Sequence, residues 1–177
     1  MQFKTILYVI LLCITPMIAY SGPGPFGLSV GGTSLAEARS ELSSRTQVQD
    51  AGTNKWTLGP MLKASSSGLG LDGLQDTLLI FDADEVLVGA ILTLQKSRYR
   101  DIKDMMSEQY QMVSDEAPFV GNQLATYRED DVTIEVSAPH MSFQMEIRYF
   151  HPTLMEAHDQ GVQQQKQEQQ RRESSQL

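Results

Sequence analysis

Cysteine is almost absent from this sequence of 177 residues, because its one thiol, Cys13, lies in an apolar segment near the N-terminus. That segment has the features of a cleaved leader. Its removal leaves a chain that has no disulfides, no thiolate metal ligands and no cysteine nucleophile. We therefore expect the hydrophobic core to hold the fold together.

Positive charge is also scarce, since 14 Lys and Arg residues stand against 22 Asp and Glu residues, for a net charge of −8. Binding to a phosphate backbone needs clustered basic residues, so we expect no nucleic-acid partner. The three histidines, His140, His151 and His158, all lie in the last quarter of the chain. No serine stands in the setting of a nucleophile elbow. The sequence therefore predicts no catalytic residues and a protein that is not an enzyme.

The N-terminus has the charge order of a secretory signal peptide, with Lys4 ahead of an apolar segment at 6–18. Ala19 and Ser21 supply the small residues required before a cut at Gly22. The alternative is an uncleaved membrane anchor, but an apolar run of about 13 residues interrupted by Pro16 is shorter than the ~20 that span a bilayer. We expect a signal peptide at 1–21, a periplasmic or secreted location, and no transmembrane segment after cleavage.

The first half of the remaining chain predicts a short helix followed by strands. Ser34 and Glu37 have the spacing of a capping box, in which each side chain bonds a free backbone N–H group of the first turn. Residues 46–57 indicate one weak strand, or two strands separated by a turn at 51–54. Residues 77–81 and 86–94 are nearly continuous in Leu, Ile and Val and predict a central hairpin.

The second half begins with the clearest helical pattern in the chain. From Ser97, apolar side chains recur every three or four residues at Tyr99, Ile102, Met106, Tyr110 and Val113. Strands are then predicted at 123–128, 132–136 and 143–150. In the last of these, alternation places Phe143, Met145, Ile147 and Tyr149 on one face.

These elements predict one α+β domain over 22–158, with two parts at about 27–96 and 97–150. Residues 159–177 contain eight glutamines, the first of them Gln160, and they predict a disordered or marginally helical tail. The expected architecture is two tandem helix-then-three-strand units that form an antiparallel sheet with the helices packed on one face.

The segments at 32–38 (Gly-Thr-Ser-Leu-Ala-Glu-Ala) and 78–82 (Leu-Leu-Ile-Phe-Asp), together with this tandem layout, resemble two kinds of envelope protein. The first is the BamE/SmpA-type outer-membrane assembly factors, and the second is the β-lactamase-inhibitory-protein type, which stacks two such units into one curved sheet. The resemblance covers most of 27–150 and is architectural. It implies the tandem fold and a habit of binding other proteins.

On this basis we expect a non-catalytic periplasmic protein of a bacterial cell envelope that binds another protein as an accessory of an envelope complex. The alternative is a secreted inhibitor or immunity-type protein that blocks an enzyme. Met and Tyr side chains suit an adaptable partner-binding surface. The candidates are Met105, Met106, Tyr110, Met112, Tyr127 and Tyr149.

Two groups of residues are candidates for metal ligands. Asp82, Asp84 and Glu85 offer oxygen ligands in one turn, but the set lacks the later bidentate Glu and the mid-loop Gly of a calcium loop. The second group could bind copper(I), although Met commonly fills cores. It consists of His140, Met141, Met145 and His151. We expect no metal and no cofactor.

Overall fold

A computed structural model of the chain describes residues 22–118 and 120–176. Within this part the chain is an α+β fold with three α-helices and one antiparallel sheet. The helices are α1 (Leu35–Ser43), α2 (Tyr99–Gln109) and α3 (Pro152–Ser174). The strands are β1 (Val48–Thr53), β2 (Leu58–Ser65), β3 (Leu74–Asp82), β4 (Leu87–Gln95), β5 (Gln111–Glu116), β6 (Gln123–Glu129), β7 (Val132–Ala138) and β8 (Gln144–Phe150). The predicted signal peptide at 1–21 lies outside the described residues.

The strand order of the sheet is β1-β2-β3-β4-β8-β7-β6-β5. The first half of the chain therefore contributes α1 and four consecutive antiparallel strands, and the second half contributes α2, four such strands and α3. The two halves join where β4 pairs with β8. At this central pairing Leu92 stands opposite Ile147 and Leu94 opposite Met145. β1 and β5 form the outer edges of the sheet.

The predicted architecture of two helix-then-three-strand units is wrong, because each half contains one strand more. In the first half, Asn54 accepts hydrogen bonds at Oδ1 from the N–H groups of Trp56 (2.9 Å) and Thr57 (3.1 Å). This side-chain turn ends β1 and lets β2 begin at Leu58. β2 was not predicted over its length, because its Gly59 and Pro60 are residues that strands disfavour.

In the second half the extra strand comes from residues assigned to the end of the long helix. α2 stops at Gln109, and Tyr110 already has extended backbone angles. Met112 then pairs with Tyr127 in β5 and β6. Because Tyr110 and Val113 continue the three- and four-residue spacing of α2, the sequence pattern alone extends the helix too far.

The expectation that the helices pack on one face of the sheet is also wrong. Ala38 and Leu42 of α1 and Ile102 and Met106 of α2 belong to the main core on one face. Leu154 of α3 belongs to a second, smaller cluster on the opposite face. The sheet is thus covered on both sides around its centre.

Several local predictions are confirmed. The Ser34 N–H group donates to Glu37 Oε2 (2.9 Å) and the Glu37 N–H group donates to Ser34 Oγ (3.3 Å), which is the capping box. β3 and β4 form the central hairpin. In β7 every second residue from Val132 is buried, as the alternation predicted.

The segment α3 packs on the sheet through two contacts. Leu154 lies against Gly89, where an added Cβ would be only 2.5 Å from Leu154 Cδ2. About two turns further along, Trp56 of the β1–β2 turn lies against Gly161. The His158 ring meets the Trp56 ring edge-on, with 5.3 Å between their centroids. From 163 to its end at Ser174, and in the two residues that follow, α3 is exposed to solvent. None of the helices in the described ranges has the length and apolar character needed to cross a membrane.

Candidate functional site

Four of the six predicted partner-binding residues line one groove on the main-core face of the sheet. Met105 and Met106 come from α2, Tyr110 follows that helix, and Tyr149 comes from β8. The groove has a volume of about 360 Å³ and is bounded by α2, the segment at 24–26 and the loop at 69–71. We call it the α2 groove.

The floor of the α2 groove is apolar. Leu92 of β4 and Ile147 of β8 form it, and both are buried because they sit at the central strand pairing. Met106 is 7% exposed and belongs to the core, whereas Met105 is 40% exposed at the rim. Unbranched Met side chains adapt to different shapes, so this wall can accommodate more than one ligand surface.

The polar groups at the groove are few. The hydroxyl groups of Tyr110 and Tyr149 are hydrogen-bonded to each other, and Tyr110 also interacts with the backbone of Gly24. Desolvation by burial raises the pKa of Tyr149 far above its ordinary value, and desolvation likewise raises the pKa of Tyr110. Both phenols are therefore neutral at physiological pH and act as hydrogen-bonding groups, not as charges.

Arg45 is the one charged residue among those that line the α2 groove. Its guanidinium donates to the carbonyl oxygen of Phe26 (3.2 Å) and to that of Leu69 (3.4 Å), so it links two walls of the groove. Glu41 lies on α1 with its carboxylate 4.0 Å from Arg45 Nη1. About a third of the Arg45 side chain is exposed, which places a fixed positive charge at the rim.

The other two predicted residues lie elsewhere. Tyr127 is fully buried beneath α2, where its hydroxyl donates to the carbonyl oxygen of Lys103 (3.0 Å). Met112 lies on the edge strand β5 and is 40% exposed. The structure therefore brings together Met105, Met106, Tyr110 and Tyr149 and leaves Tyr127 and Met112 apart from them.

A second surface was not predicted from the sequence. The loop between β7 and β8, residues 139–143, exposes two large apolar side chains, with Met141 91% and Phe143 95% exposed. We call it the tip loop. The sequence pattern placed Phe143 on the buried face of a strand, but β8 begins only at Gln144. The available signal was the occurrence of a Met and a Phe in a turn beside Pro139, because turns favour small and polar residues.

The backbone of the tip loop is fixed by several hydrogen bonds. The Lys96 ammonium donates to the carbonyl oxygens of Pro139 and His140. The His140 N–H group donates to Asn122 Oδ1 (2.8 Å), and the Lys96 N–H group donates to the Phe143 carbonyl oxygen (2.8 Å). The loop is therefore ordered by its neighbours while its two largest side chains project into solvent.

The candidate chemical groups are dispersed. His140 lies in the tip loop, whereas His151 lies at the opposite end of β8 and caps α3 by accepting from the Thr153 N–H group (3.4 Å). Met145 is fully buried in the core. In the acidic turn, Asp82 Oδ1 accepts from the N–H groups of Asp84 (3.0 Å) and Val86 (2.9 Å), so this carboxylate shapes the turn. Within 22–118 and 120–176, no group of three His, Cys, Asp or Glu residues is arranged to hold a metal ion.

Comparison of the chain with protein-family models, curated proteins and solved structures finds no match. The resemblance to the assembly factors and inhibitory proteins therefore remains a prediction. The α2 groove and the tip loop are the two surfaces of the described residues that are suited to binding.

Proposed function

We propose that this chain is a non-catalytic, exported protein-binding domain that inserts the tip loop into an apolar pocket of another protein. A component of a bacterial envelope complex is the partner class that the signal peptide at 1–21 favours. The single observation that carries the proposal is the pairing of Met141 and Phe143, almost fully exposed, on a loop whose backbone is held by hydrogen bonds.

Single exposed apolar residues are common on protein surfaces, but two large ones within three residues of one hydrogen-bonded loop are informative. Aromatic residues and Met are enriched at protein interfaces, and a few such side chains usually dominate the binding energy. A loop that is already ordered loses little conformational entropy when it binds. The energetic requirements for a small but specific interface are therefore met at the tip loop.

A secreted inhibitor is the second candidate. Inhibitors commonly bind with little backbone change at the interface, and the fixed backbone of the tip loop has this property. The two candidates differ in the partner, which is an envelope component in the first case and one soluble enzyme that loses activity in the second.

Photo-crosslinking from the tip loop tests the proposal. A benzophenone amino acid placed at Phe143 should crosslink one partner in intact cells. The same amino acid at Leu58, which is 72% exposed at the start of β2 and at the other end of the sheet, is the matched control. The same crosslinked species from both positions, or none from Phe143, would contradict binding through the tip loop.

The identified partner then allows a quantitative test with the purified proteins. Phe143→Ala should weaken binding at least about tenfold, since truncation of a hot-spot aromatic is worth about 2 kcal/mol or more. Its melting temperature should stay the same, because an exposed side chain contributes no core packing. Leu58→Ala should bind as the native protein does. Native affinity in Phe143→Ala would refute the proposal.

Export is tested separately by sequencing the N-terminus of the protein isolated from its native cell. Cleavage after Ser21 gives a chain that starts at Gly22. A chain that retains Met1 and remains in the cytoplasm would contradict the exported part of the proposal and leave the tip-loop test intact.

A further inference from the structure

We propose that the α2 groove is a binding site for a single-chain amphiphile with an anionic head group, such as a medium-chain carboxylate. The apolar chain lies on the floor formed by Leu92 and Ile147, and the head group lies at the rim beside Arg45. This site is separate from the tip loop and does not depend on the proposed function.

The shape and lining of the groove favour a ligand with an apolar chain. Ligand pockets typically have volumes of roughly 300–1,000 Å³ and combine apolar walls with a small number of placed polar groups. The α2 groove, at about 360 Å³, falls in this range. The hydroxyl groups of Tyr110 and Tyr149 are already hydrogen-bonded to each other, and the floor residues Leu92 and Ile147 have no polar side-chain groups.

The charge at the rim selects an anionic head. The chain as a whole is acidic, with a net charge of −8, yet none of the residues that line the groove is Asp or Glu. Arg45 is held in place at the rim by two backbone carbonyl groups and keeps further N–H donors. Its one carboxylate neighbour, Glu41, is at the 4.0 Å limit of an ion pair and is exposed, so a carboxylate head group can compete with it.

The groove, at about 360 Å³, lies near the small end of the range of ligand pockets, which favours a short single-chain ligand. Decanoate is the probe of choice. Decyltrimethylammonium carries a chain of the same length with the opposite charge and is the matched probe for the head group.

Calorimetric titration of the folded protein with the two probes tests the head-group preference. Decanoate should bind about tenfold more tightly than decyltrimethylammonium, because a charge-assisted bond to Arg45 forms with decanoate alone. Equal affinities would overturn the anionic preference. Absence of decanoate binding would overturn the site as a whole, with no bearing on the crosslinking result at Phe143.

A matched pair of substitutions locates the bound chain. Met105→Trp fills the groove at its rim and should lower decanoate affinity by about tenfold or more. Met112→Trp introduces the same side chain at an equally exposed Met on β5, outside the groove, and should leave the affinity unchanged. Equal effects of the two substitutions would place decanoate somewhere else on the protein.

Arg45→Gln separates the charge of Arg45 from its structural role. If Arg45 only links the walls of the groove, its loss weakens the binding of both probes equally, and the ratio of their affinities stays constant. If it binds the head group, the ratio of decanoate to decyltrimethylammonium affinity falls to near one. Arg128→Gln removes the same charge from an exposed position outside the groove and should preserve the ratio. A constant ratio in Arg45→Gln would refute the assignment of the head-group site.

Discussion

Trp56 lies directly on the helix backbone at Gly161: a Cβ atom added to Gly161 would be 2.2 Å from Cε3 of the Trp56 ring. The His158 ring packs edge-on against the same indole, with the two planes at 77°. This contact joins the β1–β2 turn to α3, two segments far apart in the sequence. Any side chain at position 161 must therefore displace Trp56.

The first prediction concerns Gly161→Ala. In an isolated helix this substitution adds about 1 kcal/mol of stability, because glycine has the lower helix propensity. Here the new methyl group displaces the indole, so we expect no net gain and a shift of Trp56 fluorescence to longer wavelength as the ring becomes solvated. Trp56 is the only tryptophan in the chain, so the signal is unambiguous. Gln167→Ala on the exposed part of α3 is the control, and an unchanged spectrum in Gly161→Ala would contradict the contact.

The second prediction follows from where α3 touches the sheet. Deleting 163–177 removes the exposed end of α3 and the residues after it, and it should leave the free energy of unfolding nearly unchanged. Leu154→Ala removes the one buried side chain of α3 and should lower that free energy by about 2–4 kcal/mol. Chemical denaturation of both variants makes the comparison. A large loss of stability from the deletion would show that the exposed end of α3 belongs to the cooperative fold.

The sequence predicts the features of this fold that depend on residues close together in the chain, and it misses those that depend on residues far apart in the chain. The capping box of Ser34 and Glu37 and the alternation from Val132 are local, and both were predicted correctly. The β1–β2 turn depends on a side-chain oxygen of Asn54 competing for backbone N–H groups, which a hydrophobic pattern does not register. The end of α2 is decided by the pairing of Met112 with Tyr127, a contact across the sheet.

The candidate site shows the same limit. Composition suggested Met and Tyr residues as a contact surface, and four of them do share the α2 groove. Arg45 was missed because nothing local relates it to Leu92 or Ile147, which the sheet topology brings opposite one another. Phe143 was missed because alternation continues through it, and only the start of β8 at Gln144 shows that it lies in a turn.

The third prediction concerns the two buried threonines of the described chain. Thr57 Oγ1 donates to the carbonyl oxygen of Phe81 (2.7 Å), whereas Thr77 Oγ1 is buried with no hydrogen-bond partner. Thr77→Val removes an unsatisfied hydroxyl with almost no change of shape and should stabilise the protein by about 1 kcal/mol. Thr57→Val removes the donor to the Phe81 carbonyl oxygen, and it should lower the free energy of unfolding by about 1–3 kcal/mol. Thermal unfolding of the two variants should therefore give shifts of opposite sign, and equal shifts would contradict the assignment.

The fourth prediction is a loss of stability in alkali. Desolvation by burial raises the pKa of Tyr99 to about 12, above the value of about 10 for an unfolded chain. A raised pKa of this kind stabilises the fold fully below pH 10, and the contribution is lost as the pH rises toward 12. Among residues 22–118 and 120–176, the Tyr99 hydroxyl has no hydrogen-bond partner. Tyr99→Phe removes an unsatisfied buried hydroxyl, as Thr77→Val does, so it should be slightly more stable than the native protein at neutral pH. It should also lose less stability than the native protein between pH 10 and pH 12.

Tyr127→Phe is the comparison for the alkaline experiment. Its hydroxyl donates to the Lys103 carbonyl oxygen, so this substitution should lower stability at neutral pH as well. Circular dichroism followed against pH distinguishes the two variants. A loss of stability between pH 10 and pH 12 that is as large in Tyr99→Phe as in the native protein would show that Tyr99 ionises as freely in the folded protein as in the unfolded chain.

The last prediction tests what holds the tip loop in place. Lys96 donates its ammonium protons to Pro139 and His140, and the Ser142 N–H group bonds the Pro139 carbonyl oxygen (3.3 Å) within the same turn. Loss of a charged donor is worth about 1 kcal/mol at a partly exposed site, so Lys96→Met should speed hydrogen exchange of the Ser142 amide about fivefold. Lys63→Met, which breaks an exposed ion pair with Asp76, should leave that amide unchanged. Because Lys96→Met retains Phe143, any weakening of partner binding in this variant would measure how much of the affinity comes from preorganisation of the loop. An exchange rate at Ser142 equal to that of the native protein would show that the Lys96 ammonium does not restrain the loop.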